Sequence, residues 1–199
     1  MTWAHRHPVL VWTIAWGMTG AALYVSGVFN SPRTGPLWVA LAGGAISWSI
    51  AGATTFAGKW NLSYLLIWAV AYLVSFALAG FFLNLSALGD TIMGLLIAFI
   101  GWSVGPAFGA LTCTWLISDH SKLRQSAIVA GIWILGFFIG TFISFMVAFL
   151  AAELAKIFIG FLIGVPAALI LGFGLGCALG GFVASAIAVN TMRGVTRWL

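Results

Sequence analysis

Apolar residues run along this chain in six long blocks parted by short polar clusters, and inside a block apolar and polar positions do not alternate. Segments such as LLIAFIG and AALILGFGLG are apolar on every side. A membrane strand alternates lipid-facing with lumen-facing residues, so these blocks are not strands. A backbone in hydrocarbon must close its own hydrogen bonds, and about 20 apolar residues rising ~1.5 Å each cross a ~30 Å core as a helix. The pattern predicts an all-α integral membrane protein of six transmembrane helices in a single domain over 1–199. Its spans are expected at about 9–29, 36–57, 63–83, 91–118, 125–149 and 157–186. Four of the breaks carry turn chemistry: Asn30 to Pro36, Gly58 to Asn61, Asn84 to Asp90, and Asp119 to Lys122. The fifth, Ala151 to Lys156, has neither Gly nor Pro and rests on Glu153 and Lys156 alone.

Composition excludes a water-soluble globule. Of 199 residues 63% are apolar and 6% charged, against about 25% charged in soluble domains. Arg6 and His7 before the first block imitate a signal peptide, but the apolar stretch is too long for one and no small-x-small cleavage site follows, so a retained first helix is expected. Basic residues stay on the cytoplasmic side because positive loops resist translocation. Arg6, Lys59, Lys122, Arg124, Arg193 and Arg197 fall on the side of the termini, and only Arg33 and Lys156 fall opposite. This positive-inside bias places both termini in the cytoplasm or on the equivalent organellar face. The net charge of +5 is spread singly over several loops, which forms no stripe for nucleic acid.

Two internal patterns stand out. The odd spans align through Trp12, Trp68 and Trp133, and the even spans through Trp48 and Trp102 and, more loosely, through Pro106 and Pro166. That predicts an internal repeat: three helix hairpins about a pseudo-threefold axis normal to the membrane. Small residues recur every fourth position in span six (Gly160, Gly164, Ala168, Gly172, Gly176, Gly180) and similarly at Gly43, Ser47, Ala51 and Thr55 in span two. Gly101, Gly105 and Gly109 do the same in span four. Positions four apart share a helix face, and a face without bulk lets backbones approach. Gly164, Gly172, Gly176 and Gly180 are the expected helix-packing residues of a glycine zipper, and the even helices are expected to gather at the centre. Pro106 and Pro166 should kink their spans and free carbonyls near mid-membrane.

Candidate chemistry is sparse. No ionisable residue falls in the middle of a predicted span, which disfavours a proton relay, a voltage sensor or an intramembrane carboxylate site. No nucleophile is paired with a base and no His-Glu-x-x-His pattern occurs, so no catalytic residue is assigned and the protein is not expected to be an enzyme. Asp119 and His120 are adjacent and head a basic loop, which reads as solvated surface. His5, His7 and His120 lie outside the spans, whereas a haem between helices would want histidine within them. No metal and no cofactor is expected, with a pigment or haem left open. Cys113 and Cys177 read as small apolar packing residues.

Eleven tryptophans remain. Trp3, Trp38, Trp60, Trp115 and Trp198 fall near span ends, where indoles belong in the interfacial belt. Trp48 and Trp102 stand near mid-span beside Ser49 and Ser103, and an indole N–H in hydrocarbon needs an acceptor. These four residues are the candidate ligand site, against the simpler reading in which the serines only satisfy local packing. The expected function is a small transport, permeation or substrate-capture unit for a neutral or amphipathic molecule. The alternative is a non-catalytic structural or anchoring subunit of a larger membrane complex, contacting pigments or lipids. Expected partners are the lipid bilayer and either further copies of the chain or a larger assembly.

Overall fold

Pro8 opens the first helix from a position where a missing N–H is no loss, since the first-turn donors have no intrahelical partner. The computed structural model describes residues 6–28, 35–56, 62–85, 92–117 and 123–198, with side chains for 6–28, 35–56, 62–81, 96–116 and 126–192. They form α1 (Pro8–Val25), α2 (Leu37–Phe56), α3 (Leu62–Leu85), α4 (Ile92–Ile117), α5 (Leu123–Ile163) and α6 (Val165–Trp198). All six are long and apolar enough to cross a membrane.

Each helix packs against the next in sequence, and α6 returns to pack on α1, so the six close into a ring. Neighbours run antiparallel, as successive contacts show: Ala40 O accepts from Tyr72 Oη at 2.8 Å while Gly52 meets Trp68 one turn earlier in α3, and along α6 Gly174 meets Ala21, Gly181 meets Trp16 and Ser185 Oγ reaches Val9 O at 3.3 Å. That last bond sets the start of α1 beside the later part of α6, so the first described turn of α1 and the C-terminal part of α6 lie at one end of the bundle. The even helices do not gather at the centre: among the described residues α2 barely meets α4, and α6 packs on α1 and α5 instead. The reason is where the small residues point. Along α5 and α6, Gly136, Gly140, Ser144, Ala148 and Ala152 oppose Ala188, Ala184, Gly180, Gly176 and Gly172 in turn. A Cβ at Gly176 would overlap the Ala148 backbone, and one at Gly172 would lie 2.6 Å from Ala152 Cα. The stripe of α6 therefore serves its own hairpin partner, the arrangement that gives membrane helices dispersion contact without a hydrophobic drive.

Pro106 lies inside α4, as expected, and the carbonyl its missing N–H would have bonded, Trp102 O, accepts the Ser75 hydroxyl of α3 at 2.7 Å. Gly105 permits this approach, because a Cβ there would overlap Ala71 O and Ser75 Oγ. Pro166 behaves differently from the expectation. It sits in the first turn of α6, where proline needs no partner, and so kinks nothing.

The fifth break also differs. Helix α5 runs unbroken through Ala151 to Lys156, and Glu153 and Lys156 pair with each other along its surface as i and i+3. The chain turns instead at Gly164, whose φ of +86° suits glycine and whose position leaves nothing within 4 Å of a would-be Cβ. Gly164 is thus a turn residue and not a packing position within a span. At 41 residues α5 is about 60 Å long, twice a hydrocarbon core. Tyr24 near the end of α1 meets Phe173, and Phe173 meets Phe149, each at 5.3 Å. Beyond that level α5 and α6 continue as a two-helix hairpin with an exposed apolar tip, where Phe158 is 68% and Phe161 81% exposed.

Candidate functional site

The ring's axis is filled at the end near the termini. Trp12 of α1, Trp68 of α3 and Trp133 of α5, the residues that align the odd spans, meet with ring centroids 5.0, 5.3 and 5.4 Å apart. Phe137 closes on Trp12 and Trp133 at 5.4 and 5.3 Å. Trp48 packs edge-on against Trp12, Tyr72, Trp102 and Phe137. Six rings from four helices, Trp12, Trp48, Trp68, Trp133, Tyr72 and Phe137, are fully buried in this plug. Closely approaching neighbours make room for them. A Cβ on Gly52 of α2 would overlap the Trp68 ring, and one on Gly44 would overlap Tyr72.

Polar satisfaction within the plug is incomplete. Trp12 Nε1 donates to Thr55 Oγ1 at 3.0 Å, and Thr55 in turn donates to Ala51 O. Among the described residues the buried indole nitrogens of Trp16, Trp48 and Trp133 have no hydrogen-bond partner, and that of Trp68 has only the weak sulfur acceptor of Cys113 beside it. Edge-to-face packing offers an N–H the negative face of a neighbouring ring as partial compensation.

Beyond the plug, in the half of the ring away from the termini, the axis opens into a chamber of about 530 Å³ to which all six helices contribute. Trp16 and Trp102 line it nearest the plug, and Leu37 and Phe81 lie toward the far ends of α2 and α3. The wall is mainly apolar and aromatic, with Phe76, Phe99, Phe145 and Phe173 contributing rings from four helices. Its hydroxyls are committed. Thr19 donates to Ala15 O and Thr141 to Phe137 O, each one turn back, while Ser144 reaches Cys177 O across the α5 and α6 interface at 3.3 Å. No acid or base lines the chamber among the described residues.

The four candidate residues are divided by this geometry. Trp102 lines the chamber, half-buried. Trp48 lies in the plug, 1% exposed. The hydroxyls of Ser49 and Ser103 donate to the carbonyls of Ala45 and Phe99 on their own helices. Sequence reasoning did not single out Thr141, Ser144 or the phenylalanine rings. The hydroxyl pair at i and i+3 in an otherwise apolar span was the one signal available for the first two, because both fall on the same helix face. Cys177 lines the chamber and Cys113 lies in the plug. Trp38 and Trp115 are exposed near helix ends, as interfacial indoles would be, whereas Trp3, Trp60 and the Trp198 side chain lie outside the described residues. So do His5, His120, Asp90 and Asp119. His7 is exposed at the start of α1, and no cluster of three metal-ligating side chains occurs among the described residues.

No model of a known protein family matches this chain, and no curated protein and no solved structure is similar to it.

Proposed function

We propose that this protein is a non-catalytic membrane unit that captures a small neutral or amphipathic molecule in the chamber of its helix ring. One observation carries the proposal: an aromatic-walled cavity of about 530 Å³, lined from all six helices, sits over a plug of packed rings. A volume of this order is that of small-molecule pockets, which are apolar with a few polar groups. Committed hydroxyls, and the lack of charges among the described lining residues, favour an uncharged occupant, because an ion would lose its hydration without a partner. The plug favours capture over open permeation, since onward movement along the axis would require those rings to part. The three-hairpin repeat enters here as a proposal too. The near-equilateral meeting of Trp12, Trp68 and Trp133 supports it, while the unlike positions of Pro106 and Pro166 speak against extending it to the even helices. With six basic residues on the side of the termini and two opposite, the termini are proposed to face the cytoplasm or its organellar equivalent.

Native mass spectrometry of the protein after gentle detergent extraction tests the capture reading. The wild type should carry a non-covalent small molecule that Gly80→Leu lacks. Gly80 lines the chamber and a Cβ there meets nothing within 4 Å, so leucine fills the space without a clash in its backbone surroundings. Equal loads on both proteins, or none on either, would contradict the reading. A second reading, a structural or anchoring subunit of a larger complex, is favoured by the exposed hairpin tip beyond the ring. A larger partner retained in place of the small molecule would select it.

A further inference from the structure

We propose that the chamber selects a flat, uncharged ring molecule bearing a hydrogen-bond acceptor, and that the indole N–H of Trp102 is the group that reads this acceptor. The inference rests on the capture reading and goes further by naming the ligand's chemistry. Trp16, Phe76, Phe99, Trp102, Phe145 and Phe173 bring ring surface into the chamber from five helices, and aromatic walls gain most from a flat ring that stacks or meets them edge-on. A long flexible chain would forfeit that gain and lose its own conformational freedom on ordering.

The polar inventory sets the second requirement. Thr19, Thr141 and Ser144 already spend their hydroxyl hydrogens on carbonyls. The Trp16 N–H is sealed from the chamber, its nitrogen having no accessible surface. Trp102 is different. It lines the chamber, it is only half-buried, and no described residue accepts its indole hydrogen, although its own carbonyl is taken by Ser75. Its ring is held edge-on by Trp48 at 5.7 Å and Tyr72 at 5.8 Å, so it is placed by the plug and presented to the cavity. An indole N–H can only donate. The ligand must therefore bring a carbonyl, ether or hydroxyl oxygen, and a carboxylate would bring a charge that no described residue of the wall neutralises.

The test uses three naphthalene probes of like shape: 2-acetylnaphthalene, with a ketone acceptor; 2-ethylnaphthalene, with none; and 2-naphthoate, charged. Binding is measured by equilibrium dialysis against the protein in lipid nanodiscs, with nanodiscs holding Gly80→Leu as the background for partition into lipid. The ketone should bind saturably, about tenfold more tightly than the ethyl probe, and the naphthoate should show no saturable binding. Trp102→Phe keeps a ring in place and should bring the ketone down to the ethyl probe's affinity while leaving the ethyl probe unchanged, which also reports that the chamber is intact. Ketone and ethyl probes that bind alike, or a Trp102→Phe change that weakens both equally, would overturn the role of Trp102 and leave capture standing. Should no probe bind above the Gly80→Leu background, the capture reading falls and this inference falls with it.

Discussion

Pro106 removes one backbone donor from α4, and the carbonyl left over is claimed by the Ser75 hydroxyl from α3. In hydrocarbon there is no water to take that carbonyl, so Ser75→Ala should lower stability by about 1 kcal/mol, in keeping with interhelical hydrogen bonds in membranes. Thermal unfolding in detergent followed by circular dichroism checks this. A shift as small as that of Leu66→Ala, a change at an exposed residue of the same helix, would show that the bond carries nothing. At this scale the sequence was half legible. That a mid-span proline frees a carbonyl follows from proline's chemistry, but which hydroxyl answers it depends on the register between two helices, which no local pattern records. The same holds for Trp48 and Trp102. Both were visible as indoles in need of an explanation, yet only packing decides that one belongs to the plug and the other to the chamber wall.

Helix existence was readable throughout, because apolar blocks without strand alternation leave helices as the backbone solution in lipid. Helix ends were readable where glycine, proline or asparagine marks them and were misplaced at Ala151 to Lys156. Two opposite charges three apart on a helix pair along its surface and do not end it, whereas Gly164 can adopt the turn's positive φ. The stripe in α6 was seen, but its partner was not, since a smooth face fits any other smooth face and only topology assigns α5. Packing between these two helices depends on the absence of side chains at the contact. Gly176→Leu, whose Cβ would overlap the Ala148 backbone, should cost about 2 to 3 kcal/mol by forcing the helices apart. Gly131→Leu, where a Cβ meets nothing within 4 Å, should be neutral or stabilise by a few tenths through helix propensity. Denaturation midpoints of the two variants compare them directly, and equal shifts would mean that the α5 and α6 contact is not close-packed.

Taken whole, the molecule is a ring of six helices whose axis is solid at one end and hollow at the other. The number of helices, and the start of α1 lying at the same end as the later part of α6, follow from counting apolar blocks. The hollow does not, because a cavity is a failure of side chains from distant helices to meet, and each of those side chains is individually ordinary. Thiol accessibility distinguishes hollow from solid most directly. In a background with Cys113→Ser and Cys177→Ser, one cysteine is introduced either at Thr141, on the chamber wall, or at Ala110, wholly buried in the plug. N-ethylmaleimide, small and uncharged, is then applied to the protein in native membranes. The account predicts that Thr141→Cys is alkylated at least about tenfold faster than Ala110→Cys, the difference expected between the wall of an open chamber and a close-packed core. Equal rates at the two positions would contradict it.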